Sequence, residues 1–219
     1  MRLTTTDGVA EIVLDDPPVN VISAVVVREL ATVLDGLRVD ASTRVIVFSS
    51  ANPGFFLAHV DLRLAEQLEV LRELAADAPE GTNVFQALGE RIRHQPRVTI
   101  VELAGKARGG GAEFVAAADL AFAARESAGI DQVESLMGIV PSGGGTRYLL
   151  ERVGRHRALE IVLTGELLDA ETAAAYGWIN RAVPAAQQIM SAALRNGAQT
   201  PDGEADLEPL LRALAPGGR

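Results

Sequence analysis

The sequence predicts an α/β fold, and three observations carry that expectation. Two β-branched apolar runs, Val45 to Ser49 and Val98 to Leu103, read as strands buried on both faces. Ahead of the first, Val26, Leu30, Val33, Leu34 and Leu37 fall on one stripe at helical spacing behind Ser23, a good N-cap. Strand, helix and strand in that rhythm imply right-handed crossover units. With 219 residues and 48% hydrophobic content, one large domain is the default.

Leu3 to Thr5 and Val9 to Leu14 flank Asp7-Gly8, a hairpin turn, so the chain starts with an antiparallel pair that Asp15-Asp16-Pro17-Pro18 closes. The helix from Ser23 to about Leu37 precedes the Val45 strand and a Pro53-Gly54 turn. Asp61 to Asp77 is leucine-rich and charged and reads as a helix, with Leu62, Leu64, Leu68, Leu71 and Leu74 available to pack. Pro79-Glu80-Gly81 breaks it, and Thr82 or Asn83 caps a further helix to about Arg93, which Pro96 ends. Beyond the central segment, Asp119 to Ala124 reads as a strand. A helical region begins at Arg147 and stops at Thr164-Gly165, and Ala170 to Ala175 forms another helix with Gly177 as its C′ residue. Ala185 to Asn196 and Asp206 to Leu214 read as two last helices.

Chemistry concentrates between Val98 and Thr146. The Val98 strand delivers the chain into Ala104-Gly105, after which Arg108-Gly109-Gly110-Gly111-Ala112-Glu113 opens an alanine-rich helix. Glycines at a helix start let another molecule approach N–H groups that lack a partner within the helix, and such an end attracts developing negative charge. Glu113 follows Gly110 by one turn on the same side. Glu134 lies ahead of Gly138 to Thr146, a loop too glycine-rich for a regular element. Two carboxyls beside one N–H donor suit proton abstraction and delivery next to a polarised carbonyl. Each residue taken alone also has a plain reading: the glycines as a tight turn or close helix packing, Glu113 as a dipole partner, Glu134 as a solvated loop charge.

Charge and composition narrow the partners. The 20 basic and 29 acidic residues give a net charge of −9, against nucleic acid or an anionic membrane surface as main partner. With no cysteine and three scattered histidines, neither a disulfide framework nor a metal site is expected. The N-terminal residues lack the apolar core of a secretory signal, and no stretch approaches about eighteen uninterrupted apolar residues, so the cytoplasm is the expected address.

From about Val9 to Pro184 this order of elements resembles the enoyl-CoA hydratase/isomerase, or crotonase, family. The resemblance rests on Gly109-Gly110-Gly111-Ala112-Glu113 and on Glu134 followed by the Gly-x-x-Pro-x-x-Gly-Gly-Thr pattern of Gly138 to Thr146. It implies an α/β spiral of repeated ββα units over residues 1–184 and a short helical C-terminal region over 185–219. It also implies that the N–H groups of Val60 and Gly110 form an oxyanion hole for an acyl-CoA thioester. Glu113 corresponds to the glutamate that activates water and Glu134 to the one that exchanges the α-proton, which favours an enoyl-CoA hydratase. Substrate contacts are implied for Ala58, His59, Asp61, Arg108, Gly109, Pro141 and Gly143.

CoA enters as part of the substrate and no separate cofactor is expected, while the family's habit implies a trimer or dimer of trimers. The alternatives are an isomerase or other thioester-enolate enzyme, and an acyl-CoA-binding or subunit protein of weak activity. His59 and Val60 stand where the family usually has glycine and a small residue, which bears on one of the two donors. His59 reads either as a loop histidine or as a polar group near the thioester. Arg108 reads either as a CoA phosphate partner or as half of a surface ion pair.

Overall fold

The structure is a computed structural model that describes residues 1–76 and 78–184. The chain opens with β1 (Arg2–Thr6) and β2 (Val9–Leu14), an antiparallel pair turning at Asp7 and Gly8, both at positive φ. Next come β3 (Val21–Ile22) and α1 (Ala24–Val39), where the Ser23 side chain accepts the N–H of Val26 as expected. Three spiral turns come after α1, each with a strand in a large sheet and then a strand in a small one. The first holds β4 (Val45–Ser50), β5 (Phe55–Leu57), β6 (His59–Val60), α2 (Leu68–Leu74) and α3 (Val84–Arg93). The second holds β7 (Val98–Leu103), β8 (Lys106–Arg108) and α4 (Gly110–Ala117). The third holds β9 (Leu120–Ala124), β10 (Gly129–Asp131) and α5 (Gly145–Thr164), and β11 (Leu168–Asp169), α6 (Ala170–Tyr176) and β12 (Arg181–Val183) close the described chain.

The large sheet runs in the order β1-β2-β4-β7-β9-β12, parallel except for the β1 edge. The small sheet runs β11-β10-β8-β5, and β3 pairs with β6 beside it. Turns stacked in register therefore bring the connections after β5, β8 and β10 to one side. Phe114 of α4 packs edge-on against Phe48 of β4 at 5.0 Å and against Phe56 of β5 at 5.7 Å, joining both sheets and a helix in one aromatic contact.

The α/β spiral matches the expected fold class. Three local expectations fail. Asp61 to Asp77 is not one helix but a 3-10 turn, Leu62–Glu66, capped by Asp61, then a break at Gln67 and the short α2. Its leucines do not share one helical stripe: Leu64 is buried while Leu62 and Leu68 stay exposed. Glu134 sits not in an irregular loop but at the head of a 3-10 turn, Glu134–Met137, that Gly138 ends in the left-handed conformation. The helical region expected from Arg147 starts at Gly145 and is interrupted at Gly154, whose φ of 74° and ψ of 168° are not helical. β10 and β12 escape sequence reading because runs of three residues carry no usable period. The expected helices at Ala185 to Asn196 and Asp206 to Leu214 lie outside the described residues.

Asn20 fixes the approach to the first turn. Buried at positive φ, it accepts the Asp16 N–H at 2.6 Å through Oδ1 and donates through Nδ2 to Ser50 Oγ at 2.8 Å and the Phe56 carbonyl at 3.2 Å. Its own carbonyl accepts the Ala58 N–H at 2.8 Å, so one residue ties β2, β4 and β5 to the start of β6. Asn20→Ala leaves these groups unpaired and puts a methyl side chain at positive φ. Urea denaturation is expected to show a loss of roughly 2–3 kcal/mol, whereas a loss within about 0.5 kcal/mol would mean the network is dispensable.

Candidate active site

Where the three connections meet there is a cavity of about 280 Å³. His59, Val60 and Asp61 enter it from β6, Gly109, Gly110 and Glu113 from the start of α4, and Val133 and Glu134 from the turn after β10. Leu64, Leu71, Met137, Ile139 and Val140 supply aliphatic wall.

Glu113 projects from the first turn of α4 and is 4% exposed. Its Oε1 accepts two backbone N–H groups, from Gly143 and Gly145, each at 2.8 Å, and among the described residues Oε2 has no hydrogen-bond partner. Burial pushes the carboxyl up to about 7, with the nearby Glu134 charge adding to the shift and the two N–H bonds opposing it. Glu134 is also buried, and its Oε2 accepts the Gln132 amide at 3.0 Å. Burial raises this carboxyl too, against the Gln132 bond.

Gly109 adopts φ 51°, ψ −118°, and a Cβ there would stand 2.9 Å from Glu134 Oε1, so any side chain meets both backbone strain and the carboxylate. A Cβ on Gly110 would lie 2.6 Å from Val60 Cγ2 and 3.7 Å from the Val60 nitrogen. The two backbone positions expected to hold an oxyanion are therefore neighbours, at the N-terminal end of a helix.

The remaining expected contacts divide. His59 is exposed at the cavity rim, with Nδ1 2.7 Å from the Val60 carbonyl; a carbonyl only accepts, so the proton is on Nδ1. Asp61 lines the cavity but is engaged by Arg63, whose Nη2 lies 2.7 Å away and which lowers the Asp61 carboxyl. Gly143 serves by holding Glu113. Ala58, Arg108 and Pro141 do not line the cavity. Ala58 is buried, Pro141 packs at Gly145, and Arg108 donates from Nε to Asp131 at 2.8 Å, an ion pair whose carboxylate is buried and not on the surface as expected. The sequence reading missed Phe85, which lines the cavity, and Gln132. Phe85 was signalled only by the Asn83 cap that sets the phase of α3, and Gln132 only by its place two residues before Glu134. Among the described residues no group of three or more His, Asp and Glu could hold a metal ion.

The family pattern for enoyl-CoA hydratase/isomerase matches residues 4–207. The chain is a member of this family. The crotonase-family assignment extends to individual relatives. Over 192 residues the chain is 35% identical to carnitinyl-CoA dehydratase of Proteus mirabilis strain HI4320, covering 88% of this chain and 71% of that protein. A crystal structure of a Streptomyces avermitilis protein provisionally described as an enoyl-CoA hydratase superposes with a TM-score of 0.90 at 64% identity, covering 97% of this chain and 78% of the other. Enoyl-CoA hydratase from Bacillus anthracis superposes with a TM-score of 0.74 at 26% identity, covering 97% and 88%. Crotonase-family enzymes act on acyl-CoA thioesters, and this chain is an enzyme of that family.

The raised Glu113 carboxyl makes stability depend on pH. The folded protein binds this proton more tightly than the unfolded chain, so the stabilisation is complete below about 4.5 and is lost as pH rises through about 7. Glu113→Gln keeps an acceptor for both N–H groups and removes the titration. Urea denaturation is expected to show the variant level with the wild type near pH 4.5 and more stable, on the order of 2–3 kcal/mol, near pH 8. A constant difference across that range would place the shift elsewhere.

Proposed function

We propose that this protein is an enoyl-CoA hydratase. The observation that carries the reading is the convergence of two buried carboxyls, Glu113 and Glu134, on one cavity beside the Gly110 and Val60 backbone. Isomerisation needs one acid/base group that moves a proton between two carbons, whereas addition of water uses one group at the nucleophile and another at the α-carbon.

In this reading the thioester carbonyl sits against the N–H groups of Val60 and Gly110, which stabilise the negative charge that develops on its oxygen. Glu113, ionised, takes a proton from water as the water oxygen bonds to the β-carbon. The π electrons move toward the thioester, and Glu134, protonated, delivers its proton to the α-carbon. The pair thus starts and ends with one proton between them. Like charge and burial both favour that shared state. The aliphatic wall from Leu64, Leu71, Met137, Ile139 and Val140 suits an apolar acyl chain.

The test is a product assay with a short trans-2-enoyl-CoA, which should give 3-hydroxyacyl-CoA. Movement of a 3-enoyl-CoA to its 2-enoyl isomer without any hydroxy product would replace hydration by isomerisation. Glu113→Gln and Glu134→Gln should each lower kcat by roughly 10²–10⁴-fold. The wild-type rate should rise with pH through about 7, where Glu113 ionises. Gly110→Ala drives a methyl group against Val60 and toward the carbonyl position, so kcat/KM should fall at least about tenfold in protein that far-UV circular dichroism shows to be folded. Unchanged kcat/KM would remove Gly110 from the oxyanion site.

A further inference from the structure

The bonding around Gln132 points to a role that the two glutamates do not explain. Gln132 is 1% exposed and sits between β10 and the Glu134 turn. Its Nε2 donates to the Gly109 carbonyl at 3.3 Å and to Glu134 Oε2 at 3.0 Å, so one amide group reaches both. The Gly109 N–H meanwhile donates to the Asp131 carbonyl at 3.1 Å. Gly109 is therefore clamped on both of its peptide groups by consecutive residues, Asp131 through backbone and Gln132 through side chain. The clamp is anchored one residue back on each strand, where Arg108 and Asp131 are paired in the β8–β10 register and joined by an ion pair with Asp131 fully buried.

We propose that Gln132 is a positioning residue that fixes the Glu134 carboxyl relative to the Gly109–Gly110 loop, and so sets the distance between α-carbon proton transfer and carbonyl polarisation. The assignment rests on the enolate chemistry of the preceding reading, and it does not require that water be the nucleophile. A neutral amide suits the task. It donates a hydrogen bond to the ionised carboxylate and holds its plane, yet it adds no charge that would keep Glu134 from being protonated again in each cycle. A lysine or arginine at this place would favour the anion too strongly. Because the same NH₂ group is bonded to the Gly109 carbonyl, a shift of the loop and a rotation of the carboxyl cannot occur independently.

The experiment uses Gln132→Leu in the whole chain, which keeps the bulk and loses both donors. Hydration of a short enoyl-CoA gives kcat, KM and the pH profile. Exchange of the α-protons of a saturated acyl-CoA into D₂O, followed by NMR, reads Glu134 on its own. The variant is expected to hold KM within about twofold while kcat and exchange fall roughly ten- to hundredfold. The limb of the pH profile at which Glu134 loses its proton should move to higher pH, because the ionised form has lost a donor. Gln132→Met, similar in length and also without donors, gives the same readouts should the leucine variant fail to fold. Wild-type exchange and an unmoved limb in either variant overturn the assignment. Wild-type protein that exchanges α-protons but forms no hydroxy product sinks only the hydratase reading, and wild-type protein that does neither sinks both.

Discussion

A carboxylate taken into an apolar interior loses its water and is tolerated only where other groups replace those hydrogen bonds, and much of this site is set by how Glu113 meets that requirement. The two N–H groups that replace water come from Gly143 and Gly145, in the loop that leads into α5. That pair of bonds draws the glycine loop of the third spiral turn onto the first turn of α4, which belongs to the second. It also leaves the other carboxylate oxygen directed away from the bonds that hold the first. Burial and bonding act in opposite directions on the proton affinity, and burial wins, which leaves the group near neutrality instead of firmly ionised.

Glu134 is arranged by the same logic with a weaker set of partners. Where Glu113 receives two backbone donors on one oxygen, Glu134 receives a side-chain amide on one oxygen and faces the bare Cα of Gly109 with the other. The two carboxyls therefore differ in how firmly they are held, although burial raises both. Groups of one chemical type thereby acquire distinct environments.

Much of this was legible in the amino-acid order because it rests on local rules. Ser23 and Asn83 cap their helices by short-range hydrogen bonds, the β-branched runs are buried strands, and the glycines before Glu113 mark a helix start whose neighbours leave no room for side chains. The features that escaped depend on contacts between residues far apart or on elements too short to show a period. Arg108 pairs with Asp131 across 23 positions, and nothing near either residue announces the partner. The leucines of Asp61 to Asp77 read as a helix because their composition favours one, yet their spacing splits between packing and exposure and the segment divides at Gln67. Glu134 read as a loop residue because a four-residue 3-10 turn is shorter than any periodic signal.

Stacking turns in register means that each wall of the cavity is written in a separate stretch of chain: β6 with the 3-10 turn and α2 behind it, the head of α4, and the turn after β10. β5, β8 and β10 pair in parallel although the connections that leave them differ in length. A lineage, or an engineer, can therefore lengthen or rewrite one wall while the others keep their place, so the cavity is reshaped by editing a single corner of an unchanged scaffold.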